Sequence, residues 1–210
     1  MRYELSKLGR VLVIEGASGT GKTTYIQSTV QQRKVVIPEL PEFIRGVWTR
    51  PGDSDTWDSN LIPMLDGGLI RLEAACRFSQ LGYDVVLDRS LLSPLAIVSS
   101  LREDSRIDFE GLRSRCLAIS DRVPSVAVNM ILLDPPLHLW TEWLERHSKA
   151  KGYWGSMIAQ HRQQEFFRTL WSLAKGSPLE GDDEVLPSGA RRLSGDFAQI
   201  YQRACVLLDT

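Results

Sequence analysis

Residues 10–24 have the sequence Arg10-Val-Leu-Val-Ile-Glu-Gly-Ala-Ser-Gly-Thr-Gly-Lys-Thr-Thr24. Its first part, residues 11–14, is a short apolar run that predicts a buried strand. Residues 16–23 meet every fixed position of the phosphate-binding loop pattern G-x-x-x-x-G-K followed by Ser or Thr. Residues 24–32 favour a helix. Strand, loop and helix in this order are the context that the pattern requires, so the stretch predicts an α/β fold that binds a nucleoside triphosphate.

The chemistry of phosphate binding explains the spacing of this loop. Glycines let the backbone fold so that successive N–H groups point at a polyphosphate, and the helix N-terminus adds partial positive charge. Lys22 can reach the β- and γ-phosphates, and the Thr23 hydroxyl can bind the Mg²⁺ that accompanies them. The alternative is a glycine-rich turn that binds nothing. The predicted cofactors are ATP and Mg²⁺, and the predicted cofactor-binding residues are Gly16, Ala17, Ser18, Gly19, Thr20, Gly21, Lys22, Thr23 and Thr24.

The composition is that of a soluble globular protein. The 210 residues are 43% hydrophobic and 24% charged, which predicts one domain, residues 1–210, with a sizeable core. The net charge of −1 provides no basic field for a nucleic acid polymer. No run approaches the ~18 apolar residues of a membrane span. Cys76, Cys116 and Cys205 fit no metal spacing or disulfide framework, which indicates a reducing, cytoplasmic environment.

Short apolar runs alternate with segments of helical periodicity, which predicts a parallel sheet covered by helices on both faces. Strands are predicted at 10–14, 34–38, 83–88 and 125–133, with a short one at 184–186. Helices are predicted at 61–81, 93–101, 109–119, 137–146, 156–174 and 196–207. Ser93 before Pro94, and Asp108, are the predicted N-caps of two of them. Residues 39–60 lack periodicity, and a loop of that length in a compact domain is usually functional or mobile.

Ligands of a parallel sheet bind at the carboxyl ends of its strands, so polar residues directly after a strand are candidates for chemistry. Glu39 and Glu42 follow the second strand. A carboxylate there can lie near the γ-phosphate and accept a proton from a substrate hydroxyl, as the base does in phosphoryl transfer. The alternative for each is a solvated loop residue. We predict Glu39 as a catalytic base and Glu42 as a substrate-binding residue.

Asp88 and Arg89 end the third predicted strand. An acidic residue at a strand end can hold Mg²⁺ directly or through water, and an arginine can neutralise a phosphate during transfer. A helix cap with a surface ion pair is the alternative. The position of this pair directly after an apolar run favours a catalytic function for both, with Thr23 and Asp88 as the predicted metal ligands.

A basic, glycine-flanked segment separates two of the predicted helices. It contains Arg146, Lys149 and Lys151. In a kinase, a mobile lid with cations closes over the phosphates, excludes water and stabilises charge in the transition state. A solvated turn between helices is the alternative. Because a phosphate-binding loop precedes it, we predict that the segment from about 146 to 155 is a lid, with Arg146 as a catalytic residue.

Further candidates for contact with the substrate lie on the helix before the third strand and in the long loop. Arg71 and Arg77 are six residues apart, so only one of them is expected to face the cleft. Trp48 and Trp57 can stack on a base or cover the cleft, with packing at the core or rim as the alternative. The predicted substrate-binding residues are Glu42, Trp48, Trp57 and Arg71, whereas Trp140, Trp143, Trp154 and Trp171 are assigned to helix packing.

The order of these features resembles the P-loop kinases of small molecules, most closely the thymidylate kinase and deoxynucleoside kinase group. The likeness rests on the phosphate loop, on Glu39, on Asp88-Arg89-Ser90 and on the basic lid, and it covers roughly residues 10–175. In that group the Asp-Arg motif assists metal and phosphate binding, and the Glu after strand two is the base in deoxynucleoside kinases. The resemblance implies a three-layer P-loop NTPase fold with a central five-stranded parallel sheet and a helical lid, and the frequent formation of a homodimer.

Two departures from the group concern the acceptor side. Deoxynucleoside kinases usually carry Glu-Pro after strand two, where this chain has Pro38-Glu39-Leu40-Pro41. Thymidylate kinases carry Thr-Arg-Glu-Pro-Gly-Gly, and the nearest string here, Thr49-Arg50-Pro51-Gly52-Asp53, lies later and lacks the Glu. The acceptor is therefore left open among a nucleoside, a nucleoside monophosphate and another small alcohol.

The predicted function is ATP- and Mg²⁺-dependent transfer of the γ-phosphate to such a small-molecule acceptor. The alternative is a regulatory NTPase or nucleotide switch without an acceptor. The chain has no Asn-Lys-x-Asp string for reading guanine, and its third strand ends in Asp88-Arg89 where motor ATPases use Asp-Glu. A binding module with a dead site is a third class, and the presence of Lys22, Thr23 and Asp88 argues against it.

Overall fold

The computed structural model describes residues 8–29, 34–39, 54–105, 107–147, 157–178 and 189–209, with only the backbone described at 29, 54–60, 146–147 and 177–178. Its strands are β1 (Val11–Glu15), β2 (Lys34–Ile37), β3 (Asp84–Asp88), β4 (Ala127–Leu132), β5 (Ser177–Pro178) and β6 (Arg191–Asp196). Its helices are α1 (Lys22–Thr29), α2 (Ser54–Gln80), α3 (Leu92–Leu101), α4 (Phe109–Ala118), α5 (Leu137–His147), α6 (Met157–Leu173) and α7 (Phe197–Val206), with a 3₁₀ turn at Ser120–Arg122. Within these residues no helix has the length and apolarity that crossing a membrane requires.

The strands form one sheet in the order β2-β3-β1-β4-β6-β5. The first four are parallel, so their carboxyl ends meet at one end of the sheet. β6 is antiparallel to β4, with Arg191 beside Leu132 and Asp196 beside Ala127. The predicted α/β fold is confirmed, but β6 was not among the predicted strands, and its direction departs from the all-parallel sheet that the resemblance implied. The reason is connectivity, because the chain enters β6 where β4 ends and passes from Asp196 directly into α7.

Alternate strand residues pack on opposite faces of the sheet, which produces three layers. Val11 and Val13 belong to the larger core, which β1 shares with α2, α3, α4, α6 and α7. Ile14 belongs to a smaller core on the other face, where Tyr25 and Ile26 of α1 cover the sheet. Because both faces are covered, the strands consist of nearly continuous apolar runs, as is typical of parallel sheets.

Two helix starts differ from the prediction. α2 begins at Ser54, inside the segment that was expected to lack periodicity. It contains Pro63, and a proline inside a helix breaks the local pattern from which the first turns would be recognised. α3 begins at Leu92 without a side-chain cap, so the prediction of Ser93 as an N-cap was wrong. The Ser93 hydroxyl instead donates to the buried carboxylate of Glu15.

Two other helices begin at an aspartate, as expected. The side chain of Asp108 accepts a hydrogen bond from the Gly111 N–H and caps α4. The side chain of Asp196 accepts one from the Gln199 N–H and caps α7. Each bond satisfies a backbone donor that has no partner within the helix, so the cap marks where the helix starts.

The burial of β3 generates a stability prediction. Leu87 lies in this strand between β1 and β2 and is fully buried. We expect Leu87→Ala to lower the free energy of unfolding by about 2–5 kcal/mol, because it leaves a cavity in a packed core. Leu81→Ala is the control, since Leu81 is 69% exposed, and its effect should stay within about 0.5 kcal/mol. Urea denaturation measures both, and similar losses for the two variants would contradict the packing described here.

Candidate functional site

A cleft of about 620 Å³ opens at the carboxyl ends of the parallel strands. Its floor is the phosphate loop together with the first turn of α1, residues 18–24. One side carries charged groups that follow β2 and β3, and the other carries mainly apolar groups that follow β4. The residues on these two sides are Glu39, Asp88 and Arg89, and Pro135, Leu139, Trp140 and Trp143.

Three glycines give the loop a path that other residues rarely follow. Gly16, Gly19 and Gly21 have φ angles of +138°, +78° and +90°. A Cβ atom on Gly19 would lie 2.3 Å from ring atoms of Trp143, so α5 packs directly on the loop. A Cβ atom on Gly16 would lie 2.9 Å from the Leu133 carbonyl oxygen. The loop thus needs glycine both for its backbone angles and for close contact with its neighbours. Trp143 was assigned to helix packing, and it also lines the cleft.

Side chains from two helices bind the first turn of the loop. The Ala17 N–H donates to Gln164 Oε1 and the Ser18 N–H donates to Gln160 Oε1, each at 2.8 Å. The Trp140 indole N–H donates to the Ser18 carbonyl oxygen at 2.8 Å. Sequence analysis missed both glutamines and gave Trp140 only a packing role. The sequence does carry a signal for the glutamines. Gln160, Gln163 and Gln164 recur at helical spacing among the apolar residues of α6, which indicates polar groups on its buried face.

Lys22 is folded back onto the loop. Its Nζ donates to the carbonyl oxygens of Gly16 at 2.9 Å and Ala17 at 2.7 Å, and the residue is only 7% exposed. Burial, helped by the positive charge of Arg89, lowers the pKa of Lys22 to about 7 although nearby carboxylates oppose this. A phosphate oxygen near Nζ would replace these carbonyl partners and favour the charged form.

Arg89 and Glu39, which are both predicted to be catalytic, are in contact. Arg89 Nε lies 2.8 Å from Glu39 Oε1, and Arg89 Nη1 donates to the Gly16 carbonyl oxygen at 3.2 Å. Burial opposes the charge of Arg89, but the surrounding carboxylates, Glu39 first among them, outweigh burial and raise its pKa. Arg89 therefore remains a cation between the phosphate loop and the predicted base.

Hydrogen bonds from the Arg71 side chain stabilise the turn that carries Arg89. Arg89 has a φ angle of +61°, a left-handed conformation that costs free energy in a residue with a side chain. Arg71 Nη2 donates to the carbonyl oxygen of Asp88 and, at 3.2 Å, to that of Arg89. Arg71 is thus engaged with the backbone, and its contact with a substrate stays a prediction. Arg77 is exposed in the last turn of α2, on a different face as expected.

Glu15 is a buried carboxylate that sequence analysis missed. Its Oε1 accepts hydrogen bonds from the Ser90 N–H at 2.6 Å and the Ser90 hydroxyl at 2.5 Å, and its Oε2 accepts one from Ser93 at 2.9 Å. Burial raises the pKa of Glu15, while these bonds and the Arg89 charge act in the opposite direction. The available signal was an acidic residue at the end of a buried strand, directly before Gly16.

Asp88 and Thr23 are suited to hold a divalent cation. Asp88 Oδ1 is buried and has no hydrogen-bond partner among the described residues. Burial raises the pKa of Asp88, and the Lys22 charge opposes this. Both residues line the cleft. The described residues contain no group of three or more His, Cys, Asp or Glu that could hold a metal, and Mg²⁺ usually takes one or two protein carboxylates with water and phosphate oxygens.

Several predicted site residues fall outside the part of the chain that the structure describes. Glu42, Trp48, Lys149 and Lys151 belong to segments without described coordinates, and the predicted strand at 184–186 does too. Trp57 and Arg146 have a described backbone position, on α2 and α5 respectively, but no described side chain. The functions of these residues and the lid therefore stay predictions.

Comparison with known proteins places the fold. No family profile matches the chain, and no curated protein sequence does. A deoxyadenosine kinase from M. mycoides, in a structure with the products dCMP and a flexible dCDP bound, aligns with a TM-score of 0.56 and 16% identity over 76% of this chain and 84% of that chain. Thymidylate kinase from Candida albicans aligns with a TM-score of 0.56 and 16% identity over 77% of each chain. Thymidylate kinase from Ehrlichia chaffeensis aligns with a TM-score of 0.51 and 15% identity over 80% of this chain and 89% of that chain.

These alignments confirm the resemblance at the level of fold. The chain has a fold like that of the P-loop thymidylate and deoxynucleoside kinases. The antiparallel direction of β6 is a feature of this chain that the resemblance did not lead us to expect. At 15–16% identity the similarity concerns the fold alone, and the activity has to be argued from the cleft.

The burial of Lys22 predicts that MgATP binding takes up a proton. In the nucleotide-free protein its pKa is about 7, and phosphates beside Nζ should raise it. At pH 8 a neutral lysine must therefore become charged on binding, so affinity should fall as pH rises above about 7. Without nucleotide, the free energy of unfolding should instead rise with pH above about 7. The reason is that Lys22 binds its proton more tightly in the unfolded protein than in the folded protein.

Isothermal titration at pH 8 in two buffers with different ionisation enthalpies measures this proton uptake. The wild-type protein should give different apparent heats in the two buffers. Lys22→Arg is the control, because a guanidinium is charged at every pH used and should bind without uptake. Equal heats in both buffers for the wild-type protein would show that Lys22 is already charged before the nucleotide binds.

Proposed function

We propose that this protein transfers the γ-phosphate of ATP to a small-molecule acceptor of the nucleoside or nucleotide class, with Mg²⁺, and that the chain forms a single kinase domain. The observation that carries the proposal is the Glu39–Arg89 pair in a cleft whose floor is a phosphate loop. The solved structures of similar fold are nucleoside and nucleotide kinases, and the M. mycoides enzyme has a structure with bound dATP. Fold and cleft chemistry therefore support the same class of reaction.

The donor nucleotide is proposed to lie on the phosphate loop. Its β- and γ-phosphates would face the N-terminus of α1, where backbone N–H groups and the helix dipole favour negative charge. Lys22 would leave the carbonyl oxygens of Gly16 and Ala17 and donate to a phosphate oxygen. Thr23 and Asp88 would hold Mg²⁺, which when bound neutralises charge on the β- and γ-phosphate oxygens.

The acceptor is proposed to approach from the charged side of the cleft. The Glu39 side chain is 36% exposed, so a hydroxyl in the cleft can reach it. Glu39 would orient that hydroxyl and take its proton as the hydroxyl oxygen bonds to the γ-phosphorus and the bond from that phosphorus to the departing ADP breaks. Arg89, fixed between Glu39 and the loop, would stabilise the charge on the transferring phosphoryl group. Arg71 and Glu15 would act through the turn that positions Arg89.

A panel assay tests the proposed function. The protein is incubated with ATP and Mg²⁺ and with single nucleosides, nucleoside monophosphates or unrelated small alcohols, and both ADP and the mass of each acceptor are measured. The proposal predicts ADP release together with the mass of one added phosphoryl group on a nucleoside or nucleotide. ADP release without a modified acceptor would contradict it and favour the NTPase or switch alternative. Transfer to an unrelated alcohol would contradict the proposed acceptor class.

A conservative substitution tests the role of Glu39. Glu39→Gln keeps the size of the side chain but cannot take a proton, so we expect turnover to fall by about 10²–10⁴-fold while ATP affinity changes little. Glu73→Gln is the control, because Glu73 is exposed on α2 outside the cleft. Steady-state kinetics and ATP titration measure both effects. Turnover of Glu39→Gln equal to that of the control would remove Glu39 from the catalytic role.

A second substitution tests the metal site. Asp88→Asn removes the negative charge of the carboxylate whose Oδ1 has no hydrogen-bond partner among the described residues. We expect it to raise the Mg²⁺ concentration for half-maximal rate by about 10-fold or more, as loss of a group that supports a metal does. Asp121→Asn, in the exposed 3₁₀ turn, is the control. Rates measured over a range of Mg²⁺ at fixed ATP give the comparison, and an unshifted curve would argue against Asp88 as a metal group.

A further inference from the structure

Helix α6 presents three buried glutamines, Gln160, Gln163 and Gln164. A buried amide needs hydrogen-bond partners, because leaving its donor or acceptor unpaired costs free energy. Gln160 and Gln164 find partners in the phosphate loop, 142 and 147 residues earlier in the chain. Gln163 Nε2 has no partner among the described residues. The neighbouring side chains therefore differ in their contact with the loop, although they share one buried face.

Gln164 connects the loop to the end of β4. Its Oε1 accepts the hydrogen bond from the Ala17 N–H at 2.8 Å, while its Nε2 donates to the Leu133 carbonyl oxygen at 3.1 Å and to Asp134 Oδ1 at 3.0 Å. Asp134 is fixed in turn by Arg168, which donates to both carboxylate oxygens. The loop is thus part of a continuous hydrogen-bonded network that ends in the charge-assisted pair of Asp134, after β4, with Arg168 on the same helix as Gln164.

The loop requires an external support of this kind. Three of its residues have positive φ angles. Lys22 donates hydrogen bonds to carbonyl oxygens of the loop, so the N–H groups of the loop need other partners. The glutamines bind the two N–H groups at its start, and the Trp140 indole binds the Ser18 carbonyl oxygen. Residues 17 and 18 are therefore held by contacts that no phosphate supplies, which leaves the later part of the loop facing the cleft.

We infer that Gln160 and Gln164 are positioning residues that hold the phosphate loop in its open, nucleotide-accepting shape before the nucleotide arrives. The inference rests on the proposed function only in that the ligand of the cleft is a nucleoside triphosphate. Because the glutamines order the loop in advance, less conformational entropy is lost on binding, and affinity is higher than for a loop that must be ordered by the phosphates. The competing explanation is that the glutamine oxygens stand in for phosphate oxygens and are displaced on binding.

Variants of α6 distinguish the two explanations. Gln160→Met and Gln164→Met remove the bonds to the loop, and Gln163→Met is the matched control on the same buried face. The dissociation constant of MgATP is measured by titration, and the exchange rates of the Ala17 and Ser18 amide protons are measured by NMR in the nucleotide-free protein. We expect the first two variants to bind MgATP about 10-fold more weakly, as a lost buried hydrogen bond predicts.

Exchange should accelerate at Ala17 in Gln164→Met and at Ser18 in Gln160→Met, with Gln163→Met close to the wild-type protein in both measurements. If Gln164→Met does not fold, Gln160→Met carries the test, because Gln164 also donates to Leu133 and Asp134 at the end of β4. Unchanged or tighter MgATP binding in the folded variants would overturn the inference, and tighter binding would indicate that the glutamines compete with phosphate. Both measurements are independent of turnover, so a protein without phosphotransferase activity would refute the proposed function and leave this test intact.

Discussion

Mutual satisfaction of buried charges at the carboxyl ends of β1 and β3 is the constraint on which the site depends. An isolated charge in a protein interior is strongly unfavourable, so each one needs a partner of opposite sign or a set of hydrogen bonds. Arg89 meets this need through Glu39 and the loop carbonyl of Gly16. Glu15 meets it through Ser90 and Ser93, and its buried position ties the end of β1 to the turn after β3. The sheet and the charged groups therefore determine each other's positions.

The same reasoning explains how the polar groups of the phosphate loop are satisfied within the protein. Lys22 is satisfied by carbonyl oxygens of the loop, and the N–H groups of Ala17 and Ser18 are satisfied by α6. Binding a polyphosphate then requires few new arrangements, because Lys22 exchanges one set of oxygens for another while the start of the loop keeps its partners. The buried Oδ1 of Asp88 has no hydrogen-bond partner among the described residues and is suited to the cation that accompanies a nucleotide.

Local patterns in the sequence were sufficient for the floor and the charged side of the cleft. The glycine spacing, the apolar runs and the polar residues after them predicted the loop, the parallel strands and the positions of Glu39, Asp88 and Arg89, because these features are recorded within a few residues of each other. The hydrogen bonds of Gln160, Gln164 and Trp140 to the phosphate loop were not predictable in this way. These bonds join residues 122 to 147 positions apart, and no local pattern states which helix face meets which loop. The strand β6 was not predicted either, because only Leu193 is buried in Arg191–Asp196 and the segment lacks the apolar run that marked the other strands.

A crystal structure of the protein with Mg²⁺ and a non-hydrolysable ATP analogue would test most directly whether the cleft is a nucleotide site assembled in advance. We expect the β- and γ-phosphates at the N-terminus of α1, with Lys22 Nζ moved from the loop carbonyls to a phosphate oxygen. Gln160 and Gln164 should still bind the N–H groups of Ser18 and Ala17. Phosphates bound away from the loop, or glutamines displaced by phosphate oxygens, would contradict this account.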